Sequence, residues 1–68
     1  MRYKTQNYVV EVHIGGTDVF SKDYGPEQGC AMRALERLKQ ACERGEAKMD
    51  EIRLWHAGRC IMSKNMRS

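Results

Sequence analysis

Between residues 31 and 42, small and aliphatic side chains recur at spacings of three and four, a period only an α-helix brings onto one side. Ala31, Ala34, Leu35, Leu38, Ala41 and Cys42 form a stripe about 100° wide. A stripe of that width has to be covered by another part of the chain. The alanines within it bring the helix close to whatever covers it and predict a thin core. Pro26 suits the first turn, where its missing N–H is no loss, and Glu27 complements the positive end of the dipole. Asp23 is the candidate cap, Gly29 weakens the first turn, and Gly45 after Arg44 marks the stop.

The flanking segments supply the cover, because their period is two. From Asn7 to Ile14, Tyr8, Val10, Val12 and Ile14 share one face, while Val9, Glu11 and His13 share the other. Gly15-Gly16 accepts the positive φ of a primed hairpin turn, and residues 17–22 read as the returning strand. A two-residue loop sets Ile14 opposite Thr17 and Val12 opposite Val19. A four-residue loop pairs Ile14 with Val19. Both registers bury Val19 and send Phe20 outward beside Glu11 or His13.

After the connection 46–50, Glu51 to His56 alternates again, burying Ile52 and Leu54 and sending Arg53 and Trp55 out. Ala57-Gly58 makes a second tight turn, and residues 59–63 return. That turn places Ile61 opposite Leu54 on the inner face, with Cys60 opposite Trp55 and Met62 opposite Arg53 on the outer one. The expected fold class is α+β: ββαββ, a four-stranded antiparallel sheet of order 2-1-3-4 with one helix packed on one face. Tyr8, Val10, Val12, Ile14, Val19, Ile52, Leu54 and Ile61 would form the inner layer. The ordered core spans about 7–63 of a single domain 1–68, ahead of a loose basic tail over 64–68. So small a core makes a homodimer a reasonable expectation.

Composition limits the function classes. Charged residues at 31% and hydrophobic ones at 41% describe neither a disordered nor a membrane-spanning chain. No apolar run approaches the roughly 20 residues that span a bilayer, and the start of the chain lacks the apolar stretch of a signal peptide. A cytoplasmic protein is expected, without a membrane partner. The net charge of +3 is compatible with an acidic protein partner or with nucleic acid. Cys30, Cys42 and Cys60 have no CxxC spacing and read as reduced thiols, with no metal and no cofactor expected.

No catalytic constellation emerges. The two histidines fall on strand surfaces or turns. A two-residue first turn would set His13 opposite Asp18, which reads as a surface pair. Gly15-Gly16 joins two strands, whereas a phosphate loop needs a strand leading into a helix and a lysine. One helix on one sheet offers little concavity for paired carboxylates. The chain is therefore expected not to be an enzyme.

Two surfaces remain. The outer sheet face would carry Val9, Phe20, Trp55, Cys60 and Met62 within a polar rim that includes Arg53 and Lys22, the composition of a protein-interface centre. Val9, Phe20, Trp55, Met62, Arg53 and Lys22 are thus the candidate protein contacts, toward a second copy or a foreign partner. On the helix, Arg33, Arg37 and Arg44, with Gln40 between them, fall within about 60° of one another. This flank could grip phosphates or an acidic protein patch, or simply be solvated. Nucleic acid is the alternative partner, contacted by the arginine flank.

Across residues 7–63 the architecture resembles small accessory proteins of phages and mobile elements, anti-CRISPR inhibitors among them. The likeness lies in chain length, the hairpin-helix-hairpin order and the basic tail, with no family motif. It implies masking of a site on a larger host protein or nucleoprotein complex, in the bacterial cytoplasm. The positive charge departs from the acidic, nucleic-acid-mimicking members of that group. The expected function is a non-enzymatic protein-binding module.

Overall fold

The computed structural model describes residues 6–15 and 18–66. Along the chain run β1 (Tyr8–Ile14), β2 (Asp18–Asp23), α1 (Gln28–Glu43), β3 (Glu51–His56) and β4 (Arg59–Asn65). The fold is α+β: four antiparallel strands form one open sheet in the order β2-β1-β3-β4, as the hydrophobic periods predict. Helix α1 packs on the central pair, β1 and β3, and leaves both edge strands uncovered.

The core is the seam between helix and central strands. Ala31 and Leu35 from α1 meet Val10 from β1 and Ile52 and Leu54 from β3, with Met49 closing one end. Removing these side chains from water supplies most of the folding drive, at roughly 25 cal/mol per Å² of apolar surface. Ala31 is wholly buried, which lets the helix backbone lie close to the sheet. Met49 belongs to no periodic run, and its place in the core had no signature in the sequence.

Helix ends follow local chemistry. At the C-terminus Gly45, at φ +78°, donates its N–H to Cys42 O (3.1 Å), and Glu46 donates to Ala41 O (2.9 Å). These paired bonds satisfy two carbonyls that a helix end otherwise orphans. The N-terminus differs from expectation. Glu27 is the N-cap residue without a side-chain cap bond. Asp23 instead accepts from the Gly25 N–H at 2.7 Å and from Asn7 Nδ2 at 3.2 Å, so it holds the turn rather than the helix.

The first hairpin has neither of the two expected registers. Ile14 pairs with Asp18, Val12 with Phe20 and Val10 with Lys22. Three residues therefore separate the paired ends, an odd number, whereas loops of two and four share the opposite parity. Every side chain of β2 is on the other face from the one expected. Phe20 and Lys22 lie on the helix side, and Val19 lies on the outer side, 48% exposed and outside the core.

A second correction comes from β4. Met62 pairs with Leu54 but Cys60 pairs with Trp55, so Ile61 is the extra residue of a β-bulge. Cys60 lies across from Trp55 as expected. Met62, however, falls on the helix side and not opposite Arg53, whose partner is Ser63. Ile61 is exposed and does not line the core. β4 also continues to Asn65, and the Met66 N–H bonds to Asp50 O at 2.8 Å, so 64–66 are part of the fold rather than a loose tail. The expected frayed lead-in over 1–5, Gly16 and Thr17 of the first turn, and positions 67–68 lie outside the described residues.

Candidate functional site: a basic cleft between the helix and an edge strand

The outer face of the sheet is not the apolar patch that the alternation predicted. Of the six candidate contacts, Val9, Arg53 and Trp55 do lie there, and Phe20, Lys22 and Met62 do not. Val9 is buried between Asp23 and Trp55, its partners on either side. A polar belt crosses the middle of the central strands, where Glu11 pairs with Arg53 and His13 with Glu51. Glu11 is completely buried and meets His13 Nε2 at 2.5 Å. Arg53 donates two hydrogen bonds to the Glu51 carboxylate, at 2.9 and 3.2 Å. The Arg53 hydrogen bond holds the Glu51 carboxyl below its ordinary range, and the same bond holds the Arg53 guanidinium above its own. These charges are already engaged with each other, so the belt offers a partner few open charges.

The helix side tells the opposite story. Because α1 stops short of β2, a cleft of about 490 Å³ opens between them, lined by Lys22 and Tyr24 on one side and Cys30, Arg33 and Arg37 on the other. Phe20 lies next to Lys22's end of the cleft, in an adjoining apolar dip of about 180 Å³ with Val10, Val12 and Leu38. Phe20 is 60% exposed, a large apolar residue open to solvent. Arg33 and Arg37 are one turn apart on the same helix face, which aims both guanidinium groups along one wall.

Among the described residues no carboxylate lines this cleft. Among the described residues none lies within ion-pair distance of Lys22, Arg33 or Arg37. The Lys22 ammonium lies 5.3 Å from the centre of the Tyr24 ring, a cation–π contact that positions the charge without neutralising it. Arg33 Nε donates to Gly29 O at 3.3 Å, which orients the side chain and leaves its charge unopposed.

The arginine flank is thus divided. Arg33 and Arg37 join the cleft, Arg44 is the helix C-cap and pairs with Glu46 at 3.4 Å, and Gln40 is exposed outside the lining. The spacing of Arg33 and Arg37 signalled one wall correctly. Tyr24 and Cys30 carried no sequence signal, and the convergence with Phe20 and Lys22 was hidden by the parity of the first hairpin. Two surfaces expected on opposite sides of the domain thus meet through four of their ten residues, Phe20, Lys22, Arg33 and Arg37.

Other chemistry finds little support in side-chain placement. Among the described residues no three histidine, cysteine or acidic side chains converge as metal ligands. The cysteines are free thiols, Cys30 and Cys60 exposed and Cys42 half-buried. No helix among the described residues is long and apolar enough to cross a membrane. The cleft brings together guanidinium and ammonium groups that can take an anion and, in Phe20 and Leu38, apolar contact surface beside them. No protein-family model, curated protein or solved structure matches the chain.

Proposed function

We propose that this protein is a non-enzymatic binding module that holds an acidic surface of a larger protein or nucleoprotein complex in the cleft between α1 and β2. The observation that carries this reading is the convergence of Lys22, Arg33 and Arg37 on an apolar floor without a carboxylate among the lining residues. Three unopposed cations in one cleft repel each other, a cost that a protein of this size recovers when an anionic partner arrives. Exposed Phe20 beside them supplies the apolar centre that a contact surface needs.

The small size and hairpin-helix-hairpin order fit an accessory protein of a phage or mobile element that masks a site on a host complex in the cytoplasm. Masking requires a rigid surface and no chemistry. Here the sheet provides the rigid half of the cleft and α1 the charged half.

The test uses the full chain as bait in bacterial extract, as wild type, as Arg33→Glu/Arg37→Glu and as Arg44→Glu. A protein held by wild type and by Arg44→Glu but lost from the double variant supports the reading. Equal recovery of it on all three baits defeats the reading.

Direct nucleic-acid binding is the second reading, favoured by one observation. An exposed ring, Phe20, stands beside cations, as in sheets that stack bases. Filter binding of single-stranded oligothymidine would then show affinity falling steeply with salt. The absence of binding at low salt would remove it.

A further inference from the structure

The free edge of β2 is complementary to itself. On the helix side this strand presents Asp18, Phe20 and Lys22 in that order. An antiparallel pairing of two such strands about a two-fold axis through Phe20 sets Asp18 of each copy opposite Lys22 of the other, and Phe20 opposite Phe20. On the outer side the same register sets Val19 opposite Ser21. A closed two-fold contact demands that residue i meet j while j meets i, and this strand meets that condition with one apolar pair and two ion pairs.

Several observations show the edge is available. Among the described residues β2 pairs with β1 alone, and all six residues of the strand are exposed. Among the described residues no backbone group of 18–22 bonds outside the β1 ladder. Neither Asp18 nor Lys22 has an ion-pair partner within its own chain among the described residues. Edge strands commonly carry charges that repel stray strands. Here the two charges have opposite sign and sit symmetrically about an exposed phenylalanine, which repels most strands and suits one.

We infer that the protein pairs through β2 into a two-fold dimer with one continuous eight-stranded sheet, and that the pairing joins the two clefts into one trough. Each helix lies over β1 and β3. The two helix axes would then stand about four strand spacings apart, roughly 19 Å. Helices about 10 Å across leave a channel about 9 Å wide between them. Its floor is the two Phe20 rings, and its walls carry Arg33 and Arg37 from both copies. Because Asp18 neutralises Lys22 of the other copy, the arginines become the charges left for an acidic ligand. A channel of that width admits an extended acidic segment. This inference rests on the cleft being the contact site, and adds that one chain supplies only half of it.

A charge swap tests the pairing. Sedimentation of the wild-type chain between 1 µM and 1 mM (about the range for a modest interface) is expected to show a monomer–dimer equilibrium. Asp18→Lys and Lys22→Asp each turn two attractions into repulsions and are expected to weaken dimerisation about tenfold or more. Combining them restores both ion pairs with reversed sign, and the double variant is expected to dimerise again. A wild-type chain that stays monomeric throughout, or single variants that dimerise like wild type, would overturn the inference. Should a single variant fail to fold by circular dichroism, amide exchange on the wild type decides. Exchange of the outward amides of β2 that slows as protein concentration rises supports the pairing, and exchange indifferent to concentration overturns it. If decaglutamate rather than concentration slows those amides, a foreign strand takes the edge and self-pairing is wrong. A monomeric wild type whose partner is still lost on Arg33→Glu/Arg37→Glu would remove the dimer and leave the cleft's function standing.

Discussion

Phe20 pairs with Val12 across the first hairpin, so its ring shares a side of the sheet with Arg33 and Arg37. The pairing brings an apolar contact and two guanidinium groups within reach of one ligand. It also separates Phe20 from Trp55, which stands on the outer face with Val9 and Arg53. Charge is thereby sorted among the described residues: the polar belt of the outer face neutralises its own, and the cleft keeps Lys22, Arg33 and Arg37 open.

Phe20 should matter for binding and little for folding. Its ring is largely exposed, whereas Ile52 is fully buried. Phe20→Ala is expected to cost under about 1 kcal/mol in urea unfolding, and Ile52→Ala about 2–5 kcal/mol. A larger loss for Phe20→Ala would mean that the ring is part of the core.

Glu11 is a buried carboxylate in a sheet that could have placed a valine there. Its bond to His13 holds it, and a hydrogen bond to a charged group is worth about 1.5–3 kcal/mol. Glu11→Ala leaves the imidazole without that partner and is expected to destabilise by about 2 kcal/mol in denaturant titration. Stability equal to wild type would show that the pair contributes nothing net.

Ala57 occupies the left-handed region at φ +53° in the second hairpin turn, followed by Gly58 at +79°. An L-residue with a Cβ pays about 1–2 kcal/mol there, and asparagine pays least after glycine. Ala57→Asn is expected to stabilise by about 0.5–1 kcal/mol, seen as a rise in Tm of several degrees. A fall in Tm would show that the turn is set by its side chain.

The Glu51–Arg53 pair gives the outer face a pH dependence of known sign. The fold favours the charged carboxylate, so the pair's contribution is complete above the ordinary carboxyl value of 4.5. It fades as pH falls through the lowered folded value. Carboxyl carbon shifts followed by NMR should place the Glu51 midpoint below 4.5, and Arg53→Gln should return it toward that value. A midpoint unmoved by Arg53→Gln would assign the shift to another cause.

Elements and their order were legible because each has its own period. The repeat of two in 8–14 and 51–56 and the stripe from Ala31 to Cys42 led to the observed β2-β1-β3-β4 sheet and its helix. The face of β2, and that of β4 beyond Cys60, were not legible. Side-chain direction on an edge strand hangs on whether its loop or ladder holds an odd or even number of residues. Gly15-Gly16 permitted loops of two or four, and agreement between those two on the fate of Phe20 came from their shared parity. The extra residue at Ile61 sits in an ordinary-looking strand, with no glycine or proline to announce a bulge. The candidate site sat on one of those edge strands, so the uncertainty of one turn became an uncertainty about function. Arg33 and Arg37 escaped it because helical spacing alone placed them together.

The three-residue connection between Ile14 and Asp18 also has a genetic meaning. One codon gained or lost there would turn the edge strand inside out, offering Val19 and Ser21 to the cleft and sending Phe20 and Lys22 to the opposite side. No side chain of the candidate site would be mutated, yet the set of side chains facing the cleft would change. A turn that counts to three thus stands one codon away from a molecule with a different cleft.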